Sequence, residues 1–395
     1  MRTVWVTRSF LDYRVPVYHE VFKRCSEDFY LVYNANEEVV PSRVQAKINR
    51  AIGNRAIALH GERCLGRRYH PDQVSGSATR FFYQPGLIKS ILALEPDIII
   101  TDAFNHWTIP VLYIRAKYGI PHVMCYERTV HTERNAQWYK RAFRSWALRY
   151  VDAMCVNGRL CKEYALGLGM PAERCTLGNM AADTDGLKSA LQLVTKQKVD
   201  ELRRNFSINQ TCLLYVGRLT AAKGLRQLLH GWSKAQARLG AETSLLIVGG
   251  GSDRLYLEEF CRLERLGNVH FAGAVDYDSL AVYYAAANAF VIPTLEDNWS
   301  LVVPEAMACG LPILCSKYNG CWPELVHEGR NGWLFDPLQP ADTVRCLEEC
   351  IRSQEKLPAM GKESSIIVKN FTPQRAAESI LEACCKVVSH AGRRR

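Results

Sequence analysis

Four segments in the second half of the chain set charged residues and glycines just after short apolar runs. In YVGRLTAAKGL, Gly217 closes such a run, and Arg218 and Lys223 flank the loop that follows. Two cations beside the start of a helix suit a diphosphate, because both they and the free N–H groups of a helical first turn attract its charge. The same residues would serve equally as solvated cations of an ordinary loop. In LLIVGGGSDRLYLEEF, Gly249, Gly250 and Gly251 lie between a strand-like run and a helical one, where backbone can approach a ligand closely. The spaced GxGxxG of a dinucleotide site is missing there. In FAGAVDYDSL a strand ends at Gly273 and Ala274, and Asp276 or Asp278 is placed to cap the next helix. The DxD pairs Asp276/Asp278 and Asp183/Asp185 have a spacing that can hold a divalent metal. A helix cap for the first pair and a linker position for the second explain them better, so no bound metal is expected.

The segment TLEDNWSLVVPEAMACGLP is the most informative. Glu296 and Asp297 follow a strand, Asn298, Trp299 and Ser300 turn the chain, and Gly310 and Pro312 close the helix that comes next. Pro304 lacks an N–H and is comfortable only in a helix's first turn, so the helix begins near Leu301 with its free N–H groups toward a cleft. Packing does not explain a glutamate in SLVVPEAMA. A carboxylate at Glu305 could accept both hydroxyls of a ribose.

GRL…KG, VGGG, FAGAV and DNWSLVVPEAMACGLPIL, in that order and spacing, resemble the nucleotide-sugar half of a retaining glycosyltransferase of family 4 with the GT-B fold. At lower specificity the likeness extends over the whole chain. The resemblance implies that Arg218 and Lys223 hold the diphosphate and offset its charge as it leaves, the electrostatic device that is commonly the largest catalytic contribution. It implies that Glu305 binds the ribose, and that Asp297 with the backbone after it addresses the transferred sugar and phosphate. No metal and no cofactor is implied; the nucleotide sugar is a substrate. The family's signature is two glutamates seven residues apart, and here Asp297 stands at the first place, with Glu296 beside it as a substitute.

The first half matches more loosely. Where many relatives carry a histidine, PHVMCYERTVHTER has Glu127, with His131 four residues on. Glu127 could take a proton from an acceptor hydroxyl or support positive charge on the sugar; the plainer alternative is a loop ion pair with Arg128 or Arg134. His106 follows another strand end, where a packed or capping role is expected. Arg8, Asp12 and Arg14 are expected at the cleft edge as acceptor surface.

Positioning these groups requires two alternating series of apolar runs and amphipathic stretches. The first series is Val4–Thr7, Phe29–Asn34, Ala56–His60, Asp97–Asp102, His122–Glu127, Ala153–Asn157 and Cys175–Gly178. The second is Leu213–Gly217, Leu245–Gly249, Val269–Ala272, Ala289–Pro293, Ile313–Ser316 and Gly332–Phe335. Helical stretches such as Lys223–Leu239 lie between them, so the spacing predicts an α/β protein of two doubly wound, Rossmann-like domains with parallel sheets facing a cleft. Residues 1–185 form the expected acceptor domain and 186–373 the nucleotide-sugar domain. The helix 374–390 fits either lobe.

The 395 residues, 48% hydrophobic and 23% charged, fit two globular domains and exclude a disordered or coiled-coil chain. No apolar run reaches the length of a membrane span, and charge in the first residues argues against a secretory signal. A cytoplasmic protein is therefore expected. Its 15 cysteines show no CxxC and sit in apolar runs, so they are expected as buried free thiols without zinc or bridges.

A formal charge of +10 suggests anionic partners, and the segment Arg134–Arg149 concentrates it. There Trp138, Tyr139, Ala142, Phe143, Trp146 and Ala147 recur at helical spacing beside Lys140, Arg141, Arg144 and Arg149. One reading is a surface helix packed on its own domain. The other is a basic interfacial helix in peripheral contact with anionic lipid or a lipid-linked acceptor. The expected partners are a nucleotide sugar and a glycan or lipid-linked acceptor, with no nucleic acid. Rival readings are a silent sugar- or lipid-binding protein and a nucleotide-sugar epimerase of the same fold.

Overall fold

The computed structural model describes residues 1–10, 12–26, 28–65, 81–208, 210–240 and 242–392. Its strands are β1 (Thr3–Thr7), β2 (Phe29–Asn34), β3 (Ala56–Leu59), β4 (Arg63–Leu65), β5 (Phe81–Tyr83), β6 (Ile98–Asp102), β7 (His122–Tyr126), β8 (Ala153–Val156) and β9 (Cys175–Leu177). They continue with β10 (Thr211–Val216), β11 (Thr243–Val248), β12 (Val269–Gly273), β13 (Ala289–Ile292), β14 (Ile313–Ser316) and β15 (Gly332–Phe335). Runs such as TVWVT in β1 and TCLLYV in β10 are buried at every position. Such continuous burial is what a parallel sheet covered by helices on both faces demands.

The first sheet has the order β3-β2-β1-β6-β7-β8-β9 and the second β12-β11-β10-β13-β14-β15, with every neighbouring pair parallel. In each sheet the chain runs outward to one edge, returns to the centre and then runs to the other. The order therefore reverses between β1 and β6 in the first sheet and between β10 and β13 in the second. Loops leaving the carboxyl ends of strands at such a reversal diverge and open a crevice, the usual ligand position in this architecture. The antiparallel pair β4–β5 lies outside both sheets and has no counterpart in the expected series. Its strands have three residues each, too few to show a period.

The helix Pro373–Gly392 packs on the first sheet's side of the molecule. Ala376, Ala377, Ile380, Ala383 and Cys384 share a cluster with Trp5, Tyr18 and Phe29, although the preceding helices cover the second sheet. The chain thus crosses between lobes twice. All 15 cysteines are free thiols, most of them buried in the two cores. Burial pushes the Cys155 and Cys350 thiols up to about 12, so they behave as small apolar groups.

Candidate functional site

The loop after β10 and the loop after β13 flank the reversal point of the second sheet and are bound to each other. Leu295 N–H donates to the Ala222 carbonyl at 2.8 Å, and the Thr294 hydroxyl donates to the same oxygen at 3.1 Å. Their side chains meet too, with Lys223 Nζ 2.5 Å from Asp297 Oδ2. That carboxylate also accepts from the Ser300 hydroxyl (2.7 Å) and the Trp299 N–H (3.1 Å). Asp297 therefore fastens the turn that leads into the helix Val302–Ala308 and holds Lys223 at the crevice. Arg218 is exposed, with no hydrogen bond or ion pair from its guanidinium among the described residues.

Glu305 sits inside that helix and is only 7% exposed. Its Oε2 accepts from the Tyr284 hydroxyl at 3.0 Å, and the carboxylate borders a crevice of about 580 Å³ between the lobes. Tyr13, His19, Lys47 and Arg50 line the opposite wall. Burial, with Glu305 adding to it, holds the Tyr284 hydroxyl well above the usual phenol range, so it stays a donor to the carboxylate.

Of the predicted glycines, Gly250 lies past the tip of β11 in ordinary contact with Ala274, which is exposed, whereas Gly273 ends β12 buried at φ +80°, where a Cβ would lie 3.3 Å from the Arg254 guanidinium. Gly217 follows β10 and bonds through its N–H to the Val248 carbonyl. At Gly249 a Cβ would lie 1.9 Å from the Gly217 carbonyl oxygen, so its missing side chain lets the loops after β10 and β11 meet. The expected cap is reversed. Asp276 and Asp278 make no capping bond, whereas Asp183 accepts from Gly186 N–H at 3.0 Å and caps the helix Thr184–Gln192. A turn of 3₁₀ helix over Tyr277–Ser279 intervenes in the first case and leaves Ser279 at the helix start. Trp299 is 6% exposed and packed near Phe371, while Leu301 occupies the N-cap position.

The first lobe reaches this site through the segment after β7. His131 Nε2 lies 2.9 Å from the Leu295 carbonyl oxygen, with its ring stacked on Tyr318. The Thr132 hydroxyl donates to Asn298 Oδ1 at 2.7 Å, and Arg134 pairs with Glu296 at 3.0 Å. Arg128 pairs with Glu133 instead. Glu127, half-buried at the tip of β7, is therefore in no ion pair with either arginine, contrary to the plainer expectation, and makes no hydrogen bond among the described residues. Burial pushes the Tyr13 phenol up to about 12, with Glu127 and Asp297 contributing from the two lobes.

The expected acceptor surface is largely built inward. Arg14 is 6% exposed, 3.6 Å from Asp102 and within 3.3 Å of the Asn179 carbonyl oxygen. Burial opposes its charge most strongly of any single influence, but Asp102 together with Tyr18, Cys125 and Glu127 outweighs it and holds the guanidinium above its ordinary range. Arg14 spans the β1/β6 reversal as Lys223 spans that of the second sheet. It is a buried brace because the helix Val15–Arg24 begins right after it and turns it inward. Arg8 makes two bonds with Glu62, at 2.8 and 2.9 Å, and stacks on Phe82. His106 packs edge-on against Phe81 and Phe82, the structural role expected of it. The Asp12 side chain lies outside the described residues. Sequence reasoning missed Tyr284, Tyr13 and Asn157. Asn157, at the tip of β8, is buried with neither amide atom hydrogen-bonded among the described residues. None of the three stands out: Tyr284 and Asn157 belong to apolar runs, and Tyr13 stands between the charged Asp12 and Arg14.

The two facing doubly wound domains have the GT-B fold. The Anabaena protein HepE, solved in complex with UDP, aligns over 98% of this chain and 100% of its own with a TM-score of 0.76 at 18% identity. Residues 198–366, the core of the second lobe, match the family model described as Glycosyl transferases group 1. A glycosyltransferase of Methanocaldococcus jannaschii is 30% identical over 191 residues, 46% of this chain and 48% of its own. The sulfoquinovosyl transferase of Arabidopsis thaliana is 24% identical over 317 residues, 77% of this chain and 59% of its own. The chain thus spans about half the length of these curated relatives.

Proposed function

We propose that this protein is a glycosyltransferase that moves a sugar from a UDP- or GDP-sugar to a hydroxyl of a glycan or glycolipid, with retention at the anomeric carbon. The observation that carries the reading is the meeting of Lys223 and Asp297 at the strand reversal of the lobe whose buried Glu305 lines the crevice. The match of this lobe to group 1 glycosyl transferases supports it.

In this reading Arg218 and Lys223 bind the diphosphate, and Lys223 exchanges its Asp297 partner for phosphate oxygens. Glu305, steadied by Tyr284, accepts the ribose hydroxyls. The bond from the anomeric carbon to the diphosphate oxygen breaks and the acceptor oxygen forms its replacement. The two cations offset the charge left on the diphosphate, so we assign this role to them rather than to a divalent metal or a cofactor. Glu127 lies on the acceptor side, where it takes the hydroxyl proton or supports the positive sugar. No ion pair opposes either task among the described residues.

A panel of UDP- and GDP-sugars assayed for slow hydrolysis tests this. One donor should be cleaved, and Glu127→Gln should cut turnover far more than donor affinity. Cleavage of none of the panel would contradict a transferase, and a loss confined to donor binding would remove Glu127 from the acceptor side.

A further inference from the structure

The helix Trp138–Ala147 is built inside out. At about 100° per residue, Trp138, Ala142, Trp146, Tyr139 and Phe143 form one continuous stripe roughly 140° wide. In a helix packed on its own domain this stripe would face the core. Here it faces away: Trp138 is 80% exposed, Tyr139 52%, Trp146 47% and Phe143 38%. The side turned toward the protein carries Arg144, which donates to Glu133 at 2.6 Å and to the Tyr164 hydroxyl at 2.9 Å. Of the helix, only Ala147 is buried. A charged residue thus anchors the helix while its aromatic side stays in water, opposite to the arrangement that hydrophobic burial favours. Exposed aromatic patches of this kind mark an interaction surface.

The surrounding charge says what fits it. Lys140 and Arg141 flank the two borders of the stripe, and they and Arg149 are exposed without ion pairs among the described residues. No acidic residue occurs between Arg134 and Tyr150. A second copy of this chain would set cations against cations. Tryptophan and tyrosine rings bordered by lysine and arginine match the chemistry of a bilayer interface, where rings enter the headgroup boundary and cations meet anionic lipid. No helix of the described residues is long and apolar enough to cross a membrane, so the contact would be peripheral.

We propose that the outward face of Trp138–Ala147 docks this protein on an anionic lipid bilayer, with Trp138, Phe143 and Trp146 inserted and Lys140 and Arg141 on the headgroups. The segment just before this helix carries Glu127, His131 and Thr132, so docking would hold the first lobe's contribution to the crevice close to the lipid surface.

Co-sedimentation of the full chain with vesicles tests the proposal, using phosphatidylcholine alone and phosphatidylcholine mixed with phosphatidylglycerol. The protein should pellet with the mixed vesicles and hardly at all with the neutral ones, and its tryptophan emission should shift to the blue. W138S/F143S/W146S and K140E/R141E, both confined to exposed positions, should keep the wild-type thermal midpoint while each loses at least about tenfold in vesicle affinity. No binding by the wild type, equal binding to both vesicles, or variants that bind like the wild type would overturn it. So would a concentration-dependent dimer of the wild type that the aromatic variant loses, which would make the face a contact between copies.

Discussion

At the scale of single residues, buried polar groups in this protein keep one charge state because their neighbours were placed to hold it. Tyr284 remains a neutral donor to Glu305, and Asp102 keeps Arg14 charged in the interior. His122 ties stability to pH. It is fully buried in β7 between the Thr101 hydroxyl and the Tyr150 carbonyl, and burial pushes its imidazole down to about 4. An unfolded imidazole takes its proton near pH 6.5. Between these values the unfolded chain binds more protons, so stability rises with pH in that window. The contribution is fully present above about pH 6.5 and falls away toward pH 4, approaching about 3 kcal/mol. Denaturation midpoints measured from pH 7 to pH 4 should fall more steeply for the wild type than for His122→Asn, and parallel curves would contradict this.

At the scale of elements, the strands were legible because parallel sheets write them as short apolar runs, as ILCS in β14 and FYLVYN in β2 show. The loops were legible where a residue type was out of place, as with Glu305 in an apolar helix. Partnerships were not: nothing in RSFLDYR says that Arg14 turns inward to Asp102, and VGGG does not say that Gly249 meets Gly217. The helix Trp138–Ala147 had the pattern of a packed surface helix, and its amphipathicity is real, but its sequence carries no sign of which side faces the domain. Gly224 shows how tightly the site's loops are joined, since a Cβ there would lie 1.9 Å from the Pro293 carbonyl oxygen, at φ +71°. Gly119 has the same φ with open space around it. Gly119→Ala should therefore cost only the backbone penalty, about 1 kcal/mol, and Gly224→Ala at least about twice that, because the loops must part as well. Chemical denaturation compares the two directly, and equal losses would mean that the loops give way freely.

At the scale of the whole molecule, the two lobes meet through the segment after β7 and the loop after β13. His131, Thr132 and Arg134 all contact residues 295–298. The exposed Arg134–Glu296 pair contributes little in water, so the stacked His131 and the Thr132 bond carry the contact. His131→Ala/Thr132→Val should raise the radius of gyration in solution scattering, whereas Arg134→Ala should leave it near the wild-type value. An unchanged radius in the double variant would assign the lobe arrangement to other contacts, such as the 2.6 Å bond from Arg159 N–H to Glu324.

Calorimetric titration of UDP and GDP into the wild type, Lys223→Ala and Glu305→Ala tests most directly whether the second lobe grips a nucleotide diphosphate. One nucleotide should bind the wild type, and each variant should lose at least about tenfold in affinity, near the value of one charged hydrogen bond. Absence of binding by both nucleotides, or variants that bind as tightly as the parent, would contradict the account.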